Sequence, residues 1–243
     1  MKRQKARSSS GLSGFREVNQ QACVVMFVRS PEKGTVKTRL AAALDDDTVV
    51  GLYRCFGSDL LEMLSHTTFG LRISFFPADA QRKVADWLGQ KHVYTAQQGR
   101  DLGERMENAF TAAFADGFRR VVVIGSDSPD LPGEMLEEAV SSLASSDAVI
   151  GPANDGGYYL MGFNADRFLT AVFRGIDWGT STVFEQTMDI LNRHGYEVQV
   201  LGRWPDIDTY EDLMAFIRRH ELTPAGRLLT LDYLRAWVKT EER

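Results

Sequence analysis

The sequence predicts a three-layer α/β fold, a mostly parallel central sheet with helices on both faces. Three observations carry that expectation. The chain has 243 residues, 44% of them hydrophobic and 10% aromatic, enough to build a core of its own. Short β-branched apolar runs recur along it, and helical periods of ten or more residues lie between them. Strands separated by helices of that length pair in parallel, with the helices covering both faces.

Ala22 to Val28 (ACVVMFV) reads as a buried strand, closed by the turn-like Arg29-Ser30-Pro31. Residues 37–44 and 47–65 read as helices; the second has Val49, Leu52, Tyr53, Phe56, Leu60 and Leu64 at three- and four-residue spacing, with Asp45 to Asp47 available as caps. Leu71 to Phe76 is a second strand, 80–88 a short helix and His92 to Thr95 a third strand. A helix over 102–116, apolar at Met106, Ala109, Phe110 and Ala113, stops at Gly117. Val121 to Ile124 is the cleanest strand, followed by a helix near 133–144 and strands at Ala148–Ile150 and Tyr158–Gly162. Helices near 166–173 and 180–194, a strand at Val198–Leu201 and helices near 209–219 and 226–239 complete the chain.

Charge and composition narrow the function classes. The formal net charge is −5. Five basic residues and one acidic residue fall within 1–21, a stretch that reads as a flexible basic tail, so residues 22–243, taken as one domain, carry −9. An acidic body argues against a nucleic-acid polymer or an anionic membrane as partner. No run approaches the roughly 20 apolar residues of a membrane helix. The serine, glycine and glutamine after the first lysines and arginines are not a signal-peptide core. The two cysteines, Cys23 and Cys55, read as buried free thiols of a cytoplasmic protein. The four histidines share no motif, and His194 before Gly195 suits a helix C-terminus.

Ligands of open α/β sheets bind outside the carboxyl ends of the strands, so the loops beginning at Arg29, Gln97, Gly125, Gly151 and Gly202 are the places for chemistry. The first contains Lys33-Gly34-Thr35-Val36-Lys37-Thr38-Arg39. Backbone N–H groups and cations at a helix N-terminus suit phosphate oxygens, although Thr35 and Val36 between glycine and lysine exclude a Walker A loop, and a solvated exposed loop is the alternative. Asp127, directly beyond the strongest strand, suits a hard divalent ion or a ribose, whereas Asp130 suits a turn cap. Asn154-Asp155-Gly156-Gly157 allows close backbone approach and offers Asp155 to a hydroxyl or as a base; it is equally a turn. Asp206-Ile207-Asp208 places two carboxylates around an apolar residue, and Thr209 with Asp212 forms a capping box.

The runs FVRSPEKGTVKTRL, DLGERM, GSDSPDLP, GPANDGGYYLMG and DIDTYEDL resemble the bacterial DUF2064 glycosyltransferase-A-like proteins, over about residues 22–220. These are relatives of the nucleotide-diphospho-sugar transferases, with phospholactate guanylyltransferase and molybdenum-cofactor nucleotidyltransferase branches. The resemblance implies a GT-A (Rossmann-like) fold with a nucleotide and a divalent ion, Mg²⁺ or Mn²⁺, at its carboxyl edge. By position it implies that Lys37 and Arg39 bracket the phosphates, that Asp127 with Asp206 or Asp208 ligates the metal, and that Gln97 and Gln98 lie near the base or ribose. The loops read with it give an expected site of catalytic Lys37, Arg39, Asp127 and Asp155, nucleotide contacts at Gly34, Thr35, Lys37, Gln97, Gln98, Gly103 and Ser126, and metal ligands Asp127, Asp206 and Asp208. The chain departs from a full glycosyltransferase signature at Asp127-Ser128-Pro129, which is not Asp-x-Asp, and it lacks the complete Gly-x-Gly-Thr-Arg opening of sugar nucleotidyltransferases. The expectation is a transferase that moves a nucleotidyl group from a nucleoside triphosphate to a small acceptor with pyrophosphate release. Glycosyl transfer from a nucleotide-sugar and a non-catalytic nucleotide-binding module are the alternatives, and a homodimer is open.

Overall fold

In the computed structural model, which describes residues 19–222 and 227–241, the first apolar run becomes β1 (Asn19–Arg29). It begins three residues ahead of the expected start, and Asn19 pairs with Phe69, so residues 19–21 are strand and not tail. Residues 1–18, the rest of the expected basic tail, lie outside the described residues. The other strands are β2 (Phe69–Phe76), β3 (Val93–Ala96), β4 (Arg120–Ile124), β5 (Ala148–Pro152), β6 (Tyr158–Asn164) and β7 (Val198–Val200). Together they form one sheet in the order β3-β2-β1-β4-β6-β5-β7.

Period-two alternation in β1 explains the layers. Ala22, Val24, Met26 and Val28 enter one hydrophobic cluster, with Leu60 and Leu64 of α1 (Asp46–Ser65), Val84 and Leu88 of α2 (Gln81–Leu88) and Leu136 and Val140 of α4 (Gly133–Ser142). Cys23, Val25 and Phe27 enter the opposite cluster, with Met106 and Phe110 of α3 (Leu102–Ala115) and Leu191 of α5 (Val183–Arg193). Both faces are therefore apolar, which is why the strand reads as a continuous apolar run. A third cluster joins Val36 and Leu40 to Val49, Leu52 and Phe56 of α1, to Leu213 and Phe216 of α6 (Tyr210–Leu222) and to Leu234 of α7 (Leu229–Glu241).

The sheet is parallel except at β6, which runs antiparallel to both β4 and β5. Five residues separate β5 from β6, enough for a hairpin and too few for a crossover. Two expected helices are shorter than the periodicity suggested. Residues 37–44 form a single 3₁₀ turn at Leu40–Ala42, because Lys37 takes a left-handed backbone with φ 47°, the one non-glycine residue so placed among the described residues. Residues 166–173 form two 3₁₀ turns, Ala165–Arg167 and Thr170–Phe173, which turn Phe168 and Phe173 onto Phe110 at ring distances of 5.3 and 5.8 Å. The helix expected from 180 begins at Val183, and that expected from 226 is described from Leu229.

Side-chain caps fix the starts of four of the described helices, Asp101 accepting from the Glu104 N–H at the start of α3. Asp45 accepts from the backbone N–H groups of Asp47 and Thr48 at the start of α1. Thr209 and Asp212 exchange reciprocal bonds at the start of α6. The start of α7 is capped across the fold: the buried Asp59 carboxylate of α1 accepts from Leu229 N–H, Thr230 N–H and the Thr230 hydroxyl at 2.6–2.9 Å. Asp59→Ala leaves those donors unpaired and is expected to destabilise the protein by about 1–3 kcal/mol. The checks are a lower urea midpoint and a smaller loss in Asp59→Asn, whose remaining oxygen still accepts.

Candidate active site

The chain runs outward from β1 to β2 and β3, then returns to place β4 on the other side of β1. That reversal opens a crevice at the carboxyl ends of β1 and β4, the usual ligand position in such sheets. A cavity of about 690 Å³ lies there, lined by Phe27 to Arg29 of β1, Val123 to Asp127 at the end of β4, Thr35 to Arg39, Gln97 and Asp208, among others.

At the centre of this crevice Lys37 holds two acidic loops together. Its Nζ lies 2.6 Å from Asp127 and 2.6 Å from Asp208, and its side chain is only 4% exposed. Burial by itself would lower the lysine's pKa, but the two carboxylates outweigh it and hold the ammonium above its ordinary value. The left-handed backbone at Lys37 belongs to this arrangement, a strained residue over-determined by its partners. Asp127 O also accepts from Ile207 N–H at 2.9 Å, so main chain and side chains tie the same two loops.

A second feature is a concentration of carboxylates. One oxygen from each of Asp155, Asp206 and Asp208 lies within 4.8 Å of the others. Burial, then the charges of Asp155 and Asp208, push the Asp206 carboxyl up to about 6. Hard oxygen donors gathered this closely suit Mg²⁺ or Mn²⁺, which take carboxylate ligands and keep other positions for water or phosphate. The donor set therefore fits a divalent ion.

Of the residues predicted to form the site, Thr35, Lys37, Arg39, Gln97, Ser126, Asp127 and Asp208 line the cavity. Asp155 and Asp206 stand in the carboxylate group beside it. The structure places Asp155, and not Asp127, with Asp206 and Asp208; Asp127 shares Lys37 with Asp208 instead. Gly34 and Gln98 are exposed and outside the lining, and Gly103 packs against the Phe173 carbonyl and the Trp178 ring, where a Cβ would collide. Gly156, with φ 92°, approaches the Ser181 backbone too closely for any side chain, so this glycine serves loop packing. No helix begins at Lys37, so the first loop offers cations without the helix N-terminus expected there.

Several lining residues were not predicted as functional. Arg29 and Arg105 both lie over the Phe76 ring, at 5.7 and 4.0 Å. Tyr53 accepts from the Arg29 N–H, and its hydroxyl is 2.9 Å from Ser126 Oγ. Burial, then the charge of Asp127, push that phenol up to about 12, so it stays a neutral hydroxyl bracing two loops. In sequence Tyr53 is indistinguishable from a core position of α1, and Arg105 lies within DLGERM with no local signal of its own. Asp130 is no cap: buried to 4% exposure, it takes Arg219, His220 and the Trp204 Nε1–H, anchoring the loop after β4 to α6.

The fold is that of the nucleotide-diphospho-sugar transferase class. A crystal structure from Desulfovibrio desulfuricans G20, of a protein named by inference a nucleotide-diphospho-sugar transferase, is 43% identical, with a TM-score of 0.86 over 89% of this chain and 95% of that one. The 4-diphosphocytidyl-2C-methyl-D-erythritol synthase of Anaerococcus prevotii DSM 20548 shares the fold at 12% identity, with a TM-score of 0.54 over 83% and 98% of the two chains. A Mycobacterium tuberculosis H37Rv protein crystallised in complex with manganese does so at 13% identity, with a TM-score of 0.50 over 82% and 98%. The chain belongs to the DUF2064 family, described as "Uncharacterized protein conserved in bacteria", whose model matches residues 60–180. No curated protein matches the sequence. Among the described residues no helix is long and apolar enough to cross a membrane.

The raised Asp206 carboxyl makes a signed prediction. The folded state favours its protonated form up to about pH 6, whereas an unfolded chain ionises it near the ordinary carboxylate value. Ionisation on raising the pH through that window therefore works against the fold. Asp206→Asn is expected to raise the melting temperature near neutral pH by roughly 2–4 °C, or about 1 kcal/mol in a chain of this size. The gain should vanish well below the ordinary carboxylate pKa; a gain that persists there would assign the effect to packing.

Proposed function

We propose that this protein is a divalent-cation-dependent nucleotidyltransferase, moving a nucleotidyl group from a nucleoside triphosphate to a small acceptor. The observation that carries the reading is the buried Lys37 ammonium, held by two carboxylates at the edge of a cavity at the sheet's switch point. An ammonium in that setting is a phosphate ligand in waiting. When a polyphosphate enters, its oxygens offer Lys37 new partners, and Asp127 and Asp208 are freed from it.

In the reaction the oxygen of an acceptor hydroxyl attacks the α-phosphorus and gives its proton to solvent; the new O–P bond forms as the bond from the α-phosphorus to the bridging oxygen breaks, and pyrophosphate leaves. Lys37, with the exposed Arg39 beside it, meets the charge on the departing pyrophosphate. Asp155, Asp206 and Asp208 would hold the cation. When bound, such an ion neutralises phosphoryl oxygens and raises the electrophilicity of phosphorus. Tyr53 and Ser126 keep the ends of β1 and β4 in register around the ligand. Little covalent chemistry is required of the protein, which accords with a site built of positioning and charge.

A second reading, glycosyl transfer from a nucleotide-diphospho-sugar, is favoured by the name of the 43%-identical relative. In it Lys37 faces a leaving diphosphate and Asp155, exposed at the rim, takes the acceptor proton. Incubation with Mg²⁺, a panel of nucleoside triphosphates and nucleotide-sugars, and a library of small hydroxylated acceptors separates the two. Nucleotidyl transfer predicts acceptor-dependent pyrophosphate release, lowered in kcat about 100-fold or more by Lys37→Ala. Nucleoside diphosphate released only from nucleotide-sugars would establish the second reading. Neither binding nor turnover across the panel would overturn both.

A further inference from the structure

Asp208 belongs to two arrangements at once. Its carboxylate lies 2.6 Å from Lys37 Nζ, and it also stands with Asp155 and Asp206 in the group whose oxygens lie within 4.8 Å of one another. Lys37 and a divalent ion held by that group would therefore share one carboxylate. The main chain around Asp208 is tied on both sides: Ile207 N–H donates to Asp127 O at 2.9 Å, and the Asp208 and Thr209 N–H groups donate to Asp212 Oδ2 at 3.2 and 2.8 Å. The lysine is confined as well. Its side chain is 4% exposed, so water does not take its ammonium, and Asp127 and Asp208 are its ionic partners among the described residues.

Two cations on one carboxylate repel, and the repulsion grows where water is scarce. With the ammonium seated on Asp208, the site offers a divalent ion two unshared carboxylates, Asp155 and Asp206, and a like charge a few ångströms away. A polyphosphate reverses both conditions. Its oxygens draw the ammonium from Asp208, which returns the third carboxylate to the ion, and they supply further hard ligands beside it.

Resting on the divalent-cation reading above, we propose that Lys37 is a place-holder for the divalent ion: in the ligand-free protein its ammonium occupies Asp208 and keeps the ion off. A polyphosphate removes the ammonium and admits the ion. The two ligands then bind cooperatively, each raising the affinity for the other by the same factor. Free cation alone does not load the site, and the protein selects a polyphosphate that arrives with its cation. This role belongs to the ligand-free protein and is separate from the charge that Lys37 meets on the departing pyrophosphate.

The test is a titration of the full chain with Mn²⁺, without phosphate, with free Mn²⁺ followed by electron paramagnetic resonance. Lys37→Met, which removes the ammonium at similar volume, is expected to bind Mn²⁺ about tenfold or more tightly than the wild type. Arg105→Gln removes one positive charge from the same cavity lining, at a residue that lies over Phe76 and is not paired with Asp127 or Asp208. It is expected to stay within about threefold of the wild type. Equal Mn²⁺ affinities in the wild type and Lys37→Met, or an equal gain in Arg105→Gln, would overturn the proposal. If Lys37→Met does not fold by circular dichroism, wild-type crystals decide: Mn²⁺ alone is expected to leave no anomalous signal at Asp208, and Mn²⁺ with inorganic tripolyphosphate to give one. An ion on Asp208 without tripolyphosphate overturns the proposal. Absence of Mn²⁺ from the wild type and every variant, with tripolyphosphate as well as without it, would instead remove the cation reading on which the proposal rests.

Discussion

The Lys37 ammonium between Asp127 and Asp208 is the interaction on which the site depends. The three residues come from loops after β1, after β4 and after β7, far apart in sequence, and one buried cation gathers all three. Removing a charge from water is costly, and an ion pair recovers that cost only with close geometry and further hydrogen bonds. Here the lysine is almost fully buried while both carboxylates keep contact with solvent, with side chains 46% and 34% exposed. Desolvation thus falls mainly on one partner, and the two anions together offset it. The left-handed backbone at Lys37 adds strain to the same place, so the loop is held in a conformation it would not choose alone.

The surrounding fold supplies the rigidity that such an arrangement needs. Both faces of β1 are apolar, and its neighbours β2 and β4 lock its register along most of its length. The loop after β4 is fastened at several points: Asp130 takes Arg219 and His220 of α6, Ser128 donates to Pro205 O, and Asp127 O accepts from Ile207 N–H. With those bonds in place Asp127 and Asp208 approach a common cation although both are negative. The same convergence leaves Asp206 poorly solvated beside two like charges, which is why its carboxyl titrates near 6. A cation delivered with a polyphosphate would relieve that repulsion, and this links the electrostatics of the fold to the proposed chemistry.

Most of the sheet was legible in the sequence because its strands are short apolar runs and its helices carry their own period. The antiparallel turn of β6 was legible only as a short connection. Where the reading failed, a tertiary contact overrode local pattern. Residues 37–44 have helical spacing, yet Lys37 leaves helical geometry to reach carboxylates distant in sequence. Phe168 and Phe173 break a helical period to join the aromatic cluster around Phe110. The acidic loops were visible as motifs, but which carboxylates meet was not: chain order gives no sign that Asp155 joins Asp206 and Asp208 while Asp127 turns to Lys37. Asp130 looked like a cap because capping is the local use of an aspartate in a turn, and its true partners lie on α6.

The central claim is that Lys37 exchanges its two carboxylates for a polyphosphate. A crystal structure with Mg²⁺ and a non-hydrolysable nucleoside triphosphate measures this directly. The account predicts Lys37 Nζ within about 3 Å of a phosphate oxygen, no longer shared between Asp127 and Asp208. A nucleotide bound elsewhere, with the lysine still bridging both carboxylates, would contradict it.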